Sequence, residues 1–276
     1  MKKILLLCDG DHFPSGAVRF IKKIREQSPS PLYVKGLFTN PIDVLEMLPV
    51  GFIPVSGPFQ QLKEEGMQLV QKSRDQFTDA FKNSGIKYEI DPYAGEWDLN
   101  LLAKESRFAD LIVMSEELFC ASETDSQPNY YMTETLRASE CPVIVVPENF
   151  ENIEHLAFAY DGGKECMHAI KQFVYLFPEL IDLPAEFVHM KDESTDEVPE
   201  KALLGEYTFS HFEAQYTSNL QFDPKKYLTI WLEYKKNIFL VSGSYSRSAI
   251  SKIFKKSFAD NAIAGHTCPI FIAHFS

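Results

Sequence analysis

The feature that most constrains this chain is internal: it carries the same pattern twice. Lys3–Gly10 (KILLLCDG) is a short apolar run ending in Asp-Gly, and His155–Gly162 (HLAFAYDG) is a second. Each half also closes alike, with DLIVMS from Asp110 leading to Cys141-Pro-Val-Ile-Val-Val, and NIFLVS from Asn237 leading to Cys268-Pro-Ile-Phe-Ile-Ala. These two segments align without a gap, Asp110 standing opposite Asn237 and Cys141 opposite Cys268. The period is too long for a solenoid repeat and marks a duplicated domain. A chain of 276 residues holds two such units, each large enough for a core of its own. The boundary falls in the polar stretch Pro147–Glu154 (PENFENIE), giving units 1–148 and 153–276.

Within each unit short apolar runs alternate with helical patterns. In the first, strands at Lys3–Cys8, Leu32–Phe38, Ile86–Ile90, Asp110–Met114 and Val143–Val146 are separated by helices at Ser15–Gln27, Phe59–Ser84, Asp98–Ser106 and Tyr131–Ala138, with a long loop over Asn40–Gly57. In the second, strands are expected at Leu156–Tyr160, Ala185–Met190, His211–Tyr216, Asn237–Val241 and Pro269–Ala273. Helices are expected there at Lys164–Phe177, Pro224–Tyr234 and Ser248–Ala264, while Lys191–Tyr207 reads as an acidic loop with at most one helical turn. Parallel pairing requires crossovers, and crossovers place helices over both faces of a sheet. The fold class is therefore α/β, with two doubly wound parallel sheets in tandem. The fifth strands, apolar throughout, would lie at exposed edges if each unit stood alone. Joining them edge to edge about a pseudo-twofold axis makes the chain a pseudo-dimer.

Net charge is −12, with both halves acidic, which argues against general nucleic-acid binding. The five cysteines are scattered and form no Cys-x-x-Cys pair, so neither a disulfide framework nor a zinc site is indicated and a reducing cytoplasm fits. No apolar run is long enough to span a membrane. The run Ile4–Leu7 before Cys8 is also shorter than an export signal and reads as a core strand.

Ligands of open α/β sheets bind beyond the carboxyl ends of the strands, where the strand order reverses. In the second half those loops are Asp161-Gly162-Gly163 and the run from Ser242 through Gly243, Ser246 and Arg247 to Ser248. The second loop offers a glycine, hydroxyls and an arginine just before a helix N-terminus, an anion site in outline. Lys252, Lys255 and Lys256 follow on that helix, whose other reading is a solvated face. Asp9, Asp11 and His12 could be metal ligands, although three polar residues in one turn are more often solvated. His266 near Cys268 invites a nucleophilic pair, but Cys-Pro opens a strand in both copies and a structural cause is favoured.

Asp161-Gly162, the loop from Gly243, the Arg247-Ser248 step, the pattern SAISKIFKKS to Ser257 and the closing Cys-Pro strand together resemble the universal stress protein family. The resemblance spans most of both halves and implies five strands in the order 3-2-1-4-5 in each. In one branch of that family it implies ATP held by a motif Gly-x2-Gly-x9-Gly-Ser/Thr. Here those positions are Gly243, Ser246, Lys256 and Ser257, so both later glycines are replaced. By the same resemblance Asp161 is the aspartate after the first strand, and Met190 ends the second strand, where backbone would face adenine. In the first half the motif falls on Glu116, Phe119, Asn129 and Tyr130, where Glu116-Glu117 would repel a triphosphate. Tyr130-Tyr131 would fill the phosphate space or lie at the surface. The expectation is a stress-response module without catalysis, taking ATP, AMP or another anion in the second half only. Homodimerisation is compatible with it. The alternative is a nucleotide-hydrolysing or nucleotidyl-transferring enzyme of the same superfold.

Overall fold

The structure, a computed structural model, describes residues 1–10, 12–39, 58–92, 98–118, 129–190, 197–220, 235–243 and 268–273. The first half contains β1 (Lys2–Asp9), α1 (Ser15–Gln27), β2 (Leu32–Thr39), α2 (Pro58–Phe81), β3 (Lys87–Ile90), α3 (Leu99–Arg107), β4 (Leu111–Ser115), α4 (Tyr130–Ala138) and β5 (Val143–Val146). The second contains β6 (His155–Tyr160), α5 (Lys164–Leu176), β7 (Ala185–Met190), α6 (Lys201–His211), β8 (Gln215–Leu220), β9 (Ile238–Gly243) and β10 (Ile270–Ala273). Asp98 and Asn129 start α3 and α4 by accepting the amides of Asn100 and Met132, each answering an amide that the helix itself leaves unpaired.

Strand order is β3-β2-β1-β4-β5-β10-β9-β6-β7-β8. Each half thus has the order 3-2-1-4-5, and all its internal pairs are parallel. The two sheets are not separate. β5 and β10 pair antiparallel, Val145 opposite Ile270 and Val143 opposite Ile272, and make one ten-stranded sheet. The composition of these strands requires it, because VIVV and IFIA have no polar face to offer water and every residue of both is buried. A terminal strand has the opposite character: β3 alternates exposed and half-buried residues.

The sheets join at their fifth strands, as expected, and the buried clusters are continuous across that seam. One cluster on the face of α1, α2, α5 and α6 runs without interruption from Phe38 and Phe77 through Phe20 to Phe239, Phe173 and Phe187. The other face, under α3 and α4, likewise joins Ile112 and Val145 to Leu240 and Ile270. The seam is aromatic: the ring of Phe20 lies 5.4 Å from those of both Phe150 and Phe239. Lys2 crosses it to Glu179 at 2.6 Å, with its ammonium 5.0 Å from the centre of the Phe177 ring. Within the expected linker Phe150 and Ile153 are buried, so this stretch is part of the core.

The eleven-residue helix α6 begins within the segment expected as an acidic loop and runs on through His211, where a strand is expected to start; that strand begins at Gln215. The helix was hidden because its apolar residues do not keep to one side: Leu204 is buried while Leu203 and Phe209 are exposed, and Gly205 lowers its propensity. The expected loop at 40–57 and the expected helices at 224–234 and 248–264 lie outside the described residues.

Candidate functional site

The ends of the first and fourth strands of each half meet where the order reverses. In the second half these are Tyr160-Asp161 and Ser242-Gly243. Asp161 is half-buried, and its Oδ1 accepts the Gly163 amide at 2.8 Å, shaping the turn into α5. Gly162 has φ +77°, a conformation open to glycine, and a Cβ there would fall 2.5 Å from Cβ of Pro199. Pro199 is held over the turn by its carbonyl, which accepts the hydroxyl of Tyr160 at 2.9 Å. His189, buried beside them, bonds through Nδ1 to the Tyr160 carbonyl at 3.1 Å. Met190 ends β7 with its backbone paired to Leu220.

Gly243 has a reason of its own. A Cβ there would lie 2.6 Å from the backbone of Glu165 and 2.7 Å from the amide of Cys166. The end of β9 therefore presses against the first turn of α5, and any side chain would push them apart. Sequence reasoning assigned this glycine to phosphate approach, whereas the structure gives it a packing role that holds whatever the loop beyond it binds. Ser246, Arg247, Lys256 and Ser257 lie outside the described residues, as do Asp11, Cys120 and His266. Of the expected site, Asp161, Met190 and Gly243 share the carboxyl-end side of the sheet.

The first-half counterpart is crowded with carboxylates. Asp9 is buried, its Oδ1 accepting the His12 amide at 2.6 Å. Glu116, where the second half has Gly243, is pushed up to about 8, first by burial and then by Glu117 and Glu148. Glu148 reaches back from the linker: Oε1 accepts the Ser115 hydroxyl at 2.7 Å, and Oε2 accepts the Gly16 amide in the first turn of α1 at 2.9 Å. Sequence reasoning missed Glu148, because nothing local ties a residue after the fifth strand to the start of the first helix. Asn129, at the position of a motif glycine, works as the N-cap of α4 and donates Nδ2 to the Leu118 carbonyl at 2.7 Å. Tyr130 is exposed, and Tyr131 is half-buried against the core under α4.

Four cysteines are described, all buried and unpaired. Burial pushes the thiols of Cys141, Cys166 and Cys268 up to about 12 and Cys8 well above its ordinary value, so these are structural side chains and poor nucleophiles. Among the described residues no three His, Cys, Asp or Glu side chains are grouped to hold a metal ion. No helix among them is long and apolar enough to cross a membrane.

Solved structures share this architecture over nearly the whole chain. A universal stress protein from Archaeoglobus fulgidus superimposes with a TM-score of 0.66 at 13% identity, covering 98% of this chain and 96% of its own. The fold is that of the universal stress proteins. A Pseudomonas aeruginosa UCBPP-PA14 protein provisionally assigned to the same family matches at 0.54 and 11% identity, with 99% and 93% covered. The functionally unknown protein PA1789 of P. aeruginosa PAO1 matches at 0.50 and 13%, covering 99% and 92%. No family model matches the sequence, and no curated protein does. In open α/β sheets ligands bind beyond the carboxyl ends of the strands, where the strand order reverses. At that end of the first half the Glu148 carboxylate already lies on Ser115 and Gly16.

Proposed function

We propose that this chain is a universal-stress-protein-like, non-catalytic stress-response module of the cytoplasm, made of two units, 1–148 and 153–276, that together take the place of a homodimer. Its second-half crevice takes an adenine nucleotide, ATP or AMP, or another anion. Asp161, the Met190 backbone and Gly243 form its floor, and Ser246, Arg247 and Ser257 supply hydroxyls and positive charge. The observation that carries this reading is the contrast at the fourth-strand ends. The first half places Glu116 and Glu148 beside buried Ser115, while the second places Gly243 beside buried Ser242, with Ser246, Arg247 and Ser248 next in the sequence. The Glu148 carboxylate opposes phosphate and Glu116 fills the place of the glycine, whereas a glycine followed by Ser and Arg favours phosphate.

The test is thermal unfolding with ATP or AMP and magnesium, beside a turnover assay. Stabilisation that grows with nucleotide concentration, without hydrolysis, and lost in Asp161→Ala is the expected result. The absence of any stabilisation would overturn the reading, and turnover abolished by Asp161→Ala would replace it with the enzyme alternative.

A further inference from the structure

At the start of α1 the linker between the halves is held as a ligand would be. Both oxygens of the Glu148 carboxylate are engaged, one by the Gly16 amide and the other by the hydroxyl of Ser115, a residue 2% exposed. The same hydroxyl accepts the Glu117 amide at 3.1 Å, which aims its proton at Glu148. Arg19, one helical turn on, donates Nε to the Phe150 carbonyl at 2.9 Å and a terminal amino group to the Glu148 carbonyl. A Cβ on Gly16 would fall 2.1 Å from the Pro147 carbonyl oxygen, so helix and linker backbone are in direct contact. From there the Phe150 ring leads through Phe20 to Phe239 of the second half.

We propose that the first-half crevice is an anion site occupied in cis by Glu148, an autoinhibitory contact that excludes outside anions from this half and fastens the linker, and with it the seam, to α1. Helix-terminal amides favour an anion. A carboxylate tethered a few residues away is present at an effective concentration of millimolar order or more. An outside phosphate must displace it with the Glu117 carboxyl next in the chain to the partly buried Glu116. The inference concerns the first half alone and holds whether or not the second binds nucleotide.

The experiment is chemical rescue in the full chain. Glu148→Gly is expected to shift the unfolding equilibrium roughly tenfold toward the unfolded state, the loss of charge-assisted hydrogen bonds. Sodium formate should restore most of that loss in a saturable way, sodium chloride at equal ionic strength should not, and the wild-type protein should show no such response. Formate acting no differently from chloride on Glu148→Gly, or acting equally on wild type, would overturn the proposal. Should Glu148→Gly fail to fold, Ser115→Ala removes one of the two carboxylate bonds and leaves the other. Hydrogen exchange of the Gly16 amide is then expected to speed up several-fold, and unchanged protection would contradict the contact.

Discussion

Asp9 ends β1 and Asp161 follows the equivalent β6, yet Asp9 is buried, in a half whose fourth strand leads into Glu116 with Glu148 on Ser115, and Asp161 is half-buried, in a half whose fourth strand ends in Gly243. The same divergence recurs deeper in the sheet. Lys35 on β2 and Glu186 on β7 hold the same register place, opposite Leu5 and Ala157 respectively. Lys35 meets Asp91 at 2.7 Å and Glu105 at 2.9 Å, while Glu186 meets Lys235 at 3.1 Å and the Tyr216 hydroxyl at 2.7 Å. Burial works against the charge of Lys35, but its bonds to Asp91 and Glu105 hold its pKa above the ordinary value. The two halves share a strand order and differ in the sign of this charge together with its partners. What the two halves have in common is the pairing of polar groups, whichever residue carries the charge.

The largest expected effect comes from separating the halves. A fragment ending near residue 150 exposes β5, whose four residues are all buried in the full chain, together with the faces of Phe20 and Phe150. It should self-associate through that edge. Sedimentation velocity showing a well-behaved monomer would break the comparison, because the first half would then be self-sufficient.

Next are the exchanged charges. Lys35→Met leaves Asp91, its side chain 5% exposed, without that cation, and should cost about 3 kcal/mol in urea unfolding. Lys235→Met acts on a side chain 29% exposed and should cost about 1 kcal/mol. Equal losses would mean that the two clusters are not counterparts of different depth.

Gly16→Ala and Gly243→Ala should each cost about 1–3 kcal/mol, since both would force backbone apart. Their consequences differ by location. Gly16→Ala loosens the linker from α1, whereas Gly243→Ala separates β9 from α5, and only the latter should weaken nucleotide binding.

Most of this architecture was legible in the sequence because it is local and repeated. The Asp-Gly ends of β1 and β6 and the Cys-Pro starts of β5 and β10 each sit on an apolar run bounded by a turn. Strand order followed only from resemblance, since pairing of distant strands leaves no mark in a single sequence. α6 escaped because Leu203 and Phe209 face outward, against the periodicity that reveals a helix. Glu148 escaped because its partners, Gly16 and Ser115, come together through the fold. The buried Phe150 was read as part of a polar linker because its neighbours in sequence are Glu, Asn and Pro, while its contacts lie on α1.

Another expected effect is electrostatic and shows only as the pH is varied. The folded state raises the Glu116 carboxyl to about 8, so between the ordinary glutamate range and that value it holds a proton that the unfolded chain has released. The contribution of Glu116 to stability therefore falls as pH rises through this window and is fully lost above it. Glu116→Gln should gain on wild type as the pH is raised from about 5 to about 9, with little difference at the acid end. A constant offset across that range would remove Glu116 from the account.

The central claim is that two equivalent crevices have different occupants, one filled by the chain's own carboxylate and one left for a nucleotide. A structure of the full chain crystallised with AMP or ATP tests it most directly. Nucleotide between Asp161 and Gly243 alone, with the Glu148 carboxylate still on Gly16 and Ser115, is the predicted result. Nucleotide at the start of α1 with Glu148 displaced, or equal occupancy of both halves, would contradict it.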